Sequence, residues 1–304
     1  MNISTIWLCA TIALALAGPL HAQQQDVYDP SEPNVSNPPD SVDRTGILPA
    51  DMDCGTELFN NGPMITSSGD GPGGSDVSLV QNSSLGMTTI GAAANLSTGG
   101  DPYFRIADDF TLSEDTVLRC LVIYAYQTSS ETTSTLTSAN IRLWDGIPDE
   151  VGSSLVFGDT TTDRMLDTGW TGIYRFAEDN IDNTQRPLMW LLVDLGDTML
   201  GAGTYWIDWQ ATGSIASGPW APPISIIGES STGNARQLAS GGWQDYVDGG
   251  LNTPQGIPFL VFGGEDGPQL DTPPLPVPGP GPFALVLLAL ITLSVASWRL
   301  RCSL

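Results

Sequence analysis

Val117-Leu118-Arg119-Cys120-Leu121-Val122-Ile123-Tyr124-Ala125-Tyr126-Gln127-Thr128 is rich in β-branched and aromatic side chains. Leu118, Cys120, Val122, Tyr124 and Tyr126 fall on one face of an extended chain. Arg119, Leu121, Ile123, Ala125 and Gln127 fall on the other. The period of two predicts a strand over 117–128. The same criteria predict strands at 103–112, 139–144, 154–159, 172–177, 188–195, 204–210, 224–228, 235–239 and 259–262. Asp145-Gly146, Gly152, Gly196-Asp197, Gly201, Gly213 and Gly233-Asn234 punctuate them as turns. Away from the ends no stretch keeps a helical period for three turns, and no unit of 20 to 50 residues repeats. The expected fold is all-β, a single jelly-roll-like β-sandwich over 51–264 whose first part, 51–100, is loop-rich with a few edge strands.

Around this domain the composition changes. Residues 23–50 are rich in Pro, Asn, Ser and Asp and read as a disordered stalk. Residues 1–22 carry an apolar run, a Gly18-Pro19 breaker and Leu20-His21-Ala22, the pattern of a signal peptide leaving Gln23 first. Residues 265–282 form a Pro-rich linker. Residues 283–304 follow, with sixteen uncharged positions ending at Trp298 and then Arg299 and Arg301. As a helix those sixteen span about 24 Å, and snorkelling arginines extend that toward a bilayer core of about 30 Å. One transmembrane helix is therefore expected, with the acidic segment outside and the arginines inside.

The 304 residues carry 34 Asp and Glu against ten Arg and no Lys, a net charge of −24. All the acids lie between Asp26 and Asp271 with eight of the arginines, so that segment carries −26. Nucleic acid is excluded as a partner, because binding it requires cationic patches that displace phosphate counterions. His21, the one histidine, falls in the expected signal peptide. Ser-His-Asp and Cys-His catalysis, a Schiff-base lysine and a histidine-liganded metal are then ruled out by composition. Gly69-Asp70-Gly71-Pro72-Gly73-Gly74 lacks the lysine of a phosphate loop.

Cys9 and Cys302 fall in the terminal segments, leaving Cys54 and Cys120. In an oxidising compartment they pair most simply as one disulfide, contributing about 4 kcal/mol by loop closure. Two free buried thiols are the alternative. Paired carboxylates are the surviving catalytic option, with Asp208 between Trp206 and Trp209 the first candidate. Calcium is the plausible ion, at oxygen-rich loops carrying Asp70 and Asp76 and carrying Asp179 and Asp182. Trp220, Trp243 and Tyr246, in loops rich in Gly and Pro, are candidates for stacking on sugar rings, with Asp208 hydrogen-bonding hydroxyls.

Pro276-Val277-Pro278, the apolar segment and the terminal Arg299 and Arg301 resemble the C-terminal sorting signals of bacterial surface proteins of the PEP-CTERM and IPTL-CTERM type. That resemblance implies an export machinery and a sorting protease as partners, and a plain tail anchor is the other reading. Ala107-Asp108-Asp109-Phe110, Ile141-Arg142-Leu143-Trp144-Asp145-Gly146 and Gly203-Thr204-Tyr205-Trp206-Ile207-Asp208-Trp209 resemble surface β-sandwich domains of the choice-of-anchor kind, which implies a fold and a location and no chemistry. The expected function is a non-catalytic, structural or adhesive surface domain, exported and held at the membrane or released to the cell surface. A carbohydrate-binding module with structural calcium and a carboxylate-pair hydrolase are the alternatives.

Overall fold

The computed structural model describes residues 23–38, 53–95 and 104–264. The expected signal peptide, residues 39–50 of the expected stalk, the linker, the sorting motif at Pro276, Val277 and Pro278, and segment 283–304 with Arg299 and Arg301 lie outside them. Among the described residues no helix is long and apolar enough to cross a membrane.

The described chain is all-β. Its strands are β1 (Gln25–Val27), β2 (Thr56–Asn60), β3 (Asp76–Val80), β4 (Thr89–Ala93), β5 (Arg105–Leu112), β6 (Thr116–Ala125), β7 (Leu136–Trp144) and β8 (Leu155–Gly158). They continue as β9 (Met165–Ala177), β10 (Pro187–Leu200), β11 (Gly203–Gly213), β12 (Trp220–Ala221), β13 (Arg236–Ala239), β14 (Gly242–Asp245) and β15 (Phe259–Gly263). The first sheet has the order β2-β15-β6-β10-β9-β3, the second β14-β13-β5-β11-β7-β8, and a small third sheet β1-β4-β12. All neighbours are antiparallel except β3 and β9.

Period-two patterning explains the layering. Leu121 and Ile123 of β6, Leu191 and Val193 of β10 and Val261 of β15 share one core with Ile106 and Phe110 of β5, Ile141 and Leu143 of β7, and Ile207 and Trp209 of β11. The two large sheets therefore face each other, as in a β-sandwich. Each such buried side chain contributes about 1.5–3 kcal/mol by leaving water. The opposite face of the first sheet is not left to solvent. Cys120, Val122 and Tyr124 of β6, Tyr126 just after it, and Trp190 of β10 pack under Met64, Val80, Met87 and Ile90. Burial on both faces is why Leu188-Met189-Trp190-Leu191-Leu192-Val193 is apolar throughout rather than alternating.

Three expectations change. Residues 23–38 are part of the fold and not a stalk. β1 pairs with β4, Arg186 Nε donates to Asp26 Oδ2 at 2.8 Å, and Arg186 Nη2 donates to Glu32 Oε2 at 2.8 Å. The Tyr126 hydroxyl donates to the same Asp26 oxygen at 2.9 Å. Backbone pairing and one clamped guanidinium replace the apolar side chains this segment lacks. Second, β4 is no edge strand, since it lies between β1 and β12 and is buried along its length. Gly91 allows this, because a Cβ there would stand 2.6 Å from the Tyr126 hydroxyl. Third, residues 224–228 form a connection, with Ile224 N donating to Gly256 O and Ser225 N to Pro63 O. Pro222 and Pro223 just before have no N–H to offer a ladder.

Cys54 and Cys120 are disulfide-bonded, 66 residues apart in sequence. Cys54→Ser is expected to lower unfolding free energy by about 2–4 kcal/mol through the longer unconstrained loop of the denatured chain. Urea unfolding would measure it, and an unchanged midpoint would refute the contribution.

Candidate functional site

On the outer face of the second sheet, strand alternation exposes a row that the core face does not need. β5 turns Arg105 outward, β11 Asp208 and Gln210, and β7 Asn140 and Arg142. Register sets Asp208 opposite Arg142 and Gln210 opposite Asn140. Arg105, Asn140, Asp208 and Gln210 are buried even so, and Arg142 is part-buried, because the chain from β7 through β8 to β9 folds back over them. Ile147 packs with Ala107, Trp144, Trp206 and Trp243, and Arg236 Nη1 pairs with Glu150 Oε1 at 2.6 Å. Gly158 makes the return possible. Its φ is +82°, and a Cβ there would meet Ile141 O at 2.1 Å. Asp163 then accepts from Ala139 N at 3.0 Å and from Met165 N at 3.1 Å, fixing the end of the cover. Thr161 and Thr162 N–H groups hold the Asp159 carboxyl well below the usual carboxylate range, Thr162 contributing most.

Between cover and sheet lies a cavity of about 500 Å³, within the range of small-ligand sites. Arg105, Asn140, Arg142 and Gln210 form its floor; Asp149, Thr160, Thr161 and Asp163 stand on its cover side. Asp208, fully buried beneath, is the counter-ion. Its carboxylate takes Arg105 Nε, Arg142 Nε at 2.9 Å and Trp144 Nε1 at 2.5 Å. Arg142 also lies 4.9 Å over the Trp144 ring. Burial draws the Arg105 guanidinium below its ordinary value, and the charge of Asp208 opposes that. Arg105 Nη1 donates to Gln210 Oε1 at 2.7 Å and also to Asn140 Oδ1. Gln210 is 1% exposed, and its Nε2 has no protein partner.

The residues singled out from sequence do not assemble into one place. Asp208 reaches the site, though as a buried counter-ion of two arginines rather than as one of a catalytic carboxylate pair or a partner for sugar hydroxyls. Tyr246 is wholly buried in the main core, so it cannot stack on a ligand. Trp220 lies in the third sheet, its Nε1 donating to Ser217 Oγ at 3.1 Å, while Trp243 lies on the edge strand β14 of the second. They belong to different packing clusters and form no common platform. The calcium loops also do not converge. Asp76 accepts from Ser68 Oγ and Gly69 N, Asp70 pairs with Ser67, Asp179 accepts from Asn82 Nδ2 at 2.7 Å, and Asp182 is exposed. Among the described residues no group of three or more His, Cys, Asp or Glu could hold a metal ion. Sequence reasoning missed Arg105, Asn140, Arg142 and Gln210. Their only signal was a polar residue at alternate positions of strands whose order was not yet known.

No family model matches the chain, and no curated protein or solved structure does.

Two outcomes follow from the buried polar groups. Asp208→Asn leaves Arg105 and Arg142 facing each other without a counter-charge, and should cost about 3–5 kcal/mol in chemical unfolding. A loss under about 1 kcal/mol would refute the ion pair as a structural necessity. Asp108, on the core side of β5, accepts from Asn61 Nδ2, Ile257 N and Asp109 N at 2.9 Å each. Burial pushes its carboxyl up to about 7, against the N–H donors of Ile257 and Asp109. Between about pH 4 and 7 the folded chain therefore keeps a proton that the unfolded chain has released. Stability should fall as pH rises through that window, since fewer protons are bound on unfolding. Asp108→Asn should remove that slope in pH-dependent thermal melts; an identical slope would refute the assignment.

Proposed function

We propose that this chain is an exported, non-catalytic surface domain, a β-sandwich of jelly-roll type, that binds a saccharide in the cavity on the second sheet. The cavity floor carries the reading. A buried glutamine amide whose oxygen serves Arg105 but whose NH₂ has no protein partner, beside an asparagine and an arginine in a pocket of about 500 Å³, leaves hydrogen-bonding capacity that the fold does not use. Planar amides and guanidinium groups suit the hydroxyls and ring oxygens of sugars, each neutral hydrogen bond contributing about 0.5–1.5 kcal/mol.

Location rests on residues 1–22 and 283–304 as read from sequence, with retention by the C-terminal segment or processing near Pro278 by a sorting protease. The Cys54–Cys120 crosslink supports it, because such bonds persist in oxidising compartments. A hydrolase is the weaker reading. Glycoside cleavage needs two carboxylates free to act, and the Asp208 oxygens are already occupied by Arg105, Arg142 and Trp144.

A glycan array probed with the full chain tests the reading. Binding should appear, should be lost in Gln210→Ala at unchanged melting temperature, and should survive Trp220→Ala, which lies in another sheet. A blank array, or binding lost only with Trp220, would overturn it.

A further inference from the structure

Arg105 decides which way the amides of the cavity floor point. Its Nη1 takes the carbonyl oxygens of both Asn140 and Gln210. Each amide is thereby turned so that its NH₂ faces away from Arg105, and the buried Gln210 Nε2 is left without a protein partner. Arg142 sets its Nε 2.9 Å from an Asp208 oxygen as an ion pair, lies over the Trp144 ring, and lines the same floor. Both amide carbonyls already serve Arg105, so the capacity left unused on the floor is weighted toward donors. A neutral hydroxyl could take one of those donors, but its own O–H would compete for carbonyl oxygens that Arg105 already engages. A group made only of acceptors matches the unused donors without that competition.

Charge points the same way. Two guanidinium groups, Arg105 fully buried and Arg142 part-buried, share one carboxylate, so the floor keeps an excess of one positive charge. The cavity's acids, Asp149 and Asp163, are exposed, where solvent and salt screen them, while the floor charge is screened less. A domain acidic overall therefore holds a cationic, donor-rich floor.

The geometry points to an oxyanion-bearing sugar as the ligand: the carboxylate of a uronic acid, or a sulfate ester, seated on Gln210, Asn140 and Arg142. This rests on the saccharide reading above and adds to it which group of the sugar is read.

Calorimetric titration of the full chain with oligogalacturonate, with its methyl ester, and with a sulfated galactan separates the possibilities. The ester keeps the sugar and removes the charge. Oligogalacturonate, the sulfated galactan or both should bind at least about tenfold more tightly than the ester, since hydrogen bonds to a charged group contribute more than neutral ones. Which of the two binds tells the carboxylate from the sulfate. Gln210→Glu places an acceptor and a negative charge on the floor and should abolish that preference. Arg142→Gln, which leaves the Arg105–Asp208 pair in place, should reduce it about tenfold or more, and thermal melts of both variants verify folding. Equal affinity for acid and ester would overturn the oxyanion assignment while leaving the saccharide reading standing. Absence of binding to all three, together with a blank glycan array, would overturn both. A preference unchanged in folded Gln210→Glu and Arg142→Gln would put the anion elsewhere and overturn the site.

Discussion

The contact between Arg105 and Asp208 governs the second sheet. It ties β5 to β11, and through Arg142 and Trp144 it draws in β7, so three neighbouring strands share one buried charge cluster. Removing ions from water is costly, and attraction repays that only when the remaining donors are also satisfied. Arg105 meets the requirement by reaching two amides and the Asp208 carbonyl as well. A lysine could not, because its ammonium lacks the planar fork of donors. The segment from β7 to β9 closes over a cluster already ion-paired, and the cavity is the space left between them.

The same economy recurs across the molecule. Arg175, fully buried, donates to Ile90 O at 3.0 Å and to Ser78 Oγ at 3.0 Å, and burial pushes it down to about 10, still charged at neutral pH. Arg186 clamps Asp26 and Glu32 and so holds the segment before β2 against β9 and β10's connection. Among the described residues Arg105, Arg175 and Arg186 are buried, and each bonds to groups from more than one segment, while Asp108, Asp208 and Asp248 are the buried acids. The interior of the described chain is therefore close to balanced in charge, and its acidic excess lies at positions that solvent reaches.

Much of the framework was legible because it follows from alternation within single strands. β5, β6, β7, β10, β11 and β15 appear where Val, Ile, Leu and aromatic residues recur with period two or run together. β1 was not legible, because it joins the fold through backbone pairing to β4 and through Asp26, and neither leaves an apolar trace. The cavity was less legible still. Asn140 and Gln210 are about seventy residues apart and meet only because β7 and β11 are neighbours, which no single stretch records. Asp208 drew attention through its flanking tryptophans, and its surroundings changed its meaning from candidate catalytic or sugar-binding carboxylate to buried counter-ion.

The last described strand also fixes how the domain would bear load. β15 is held between β2 and β6, and the Cys54–Cys120 bond joins the start of β2 to β6 across it. A pull on the chain after Gly264 runs along β15, so both ladders are sheared together rather than unzipped one bond at a time. The covalent tie keeps the flanking strands from parting as it does so. The exit of the chain is thus braced by two ladders and a covalent tie, with the cavity on the other sheet.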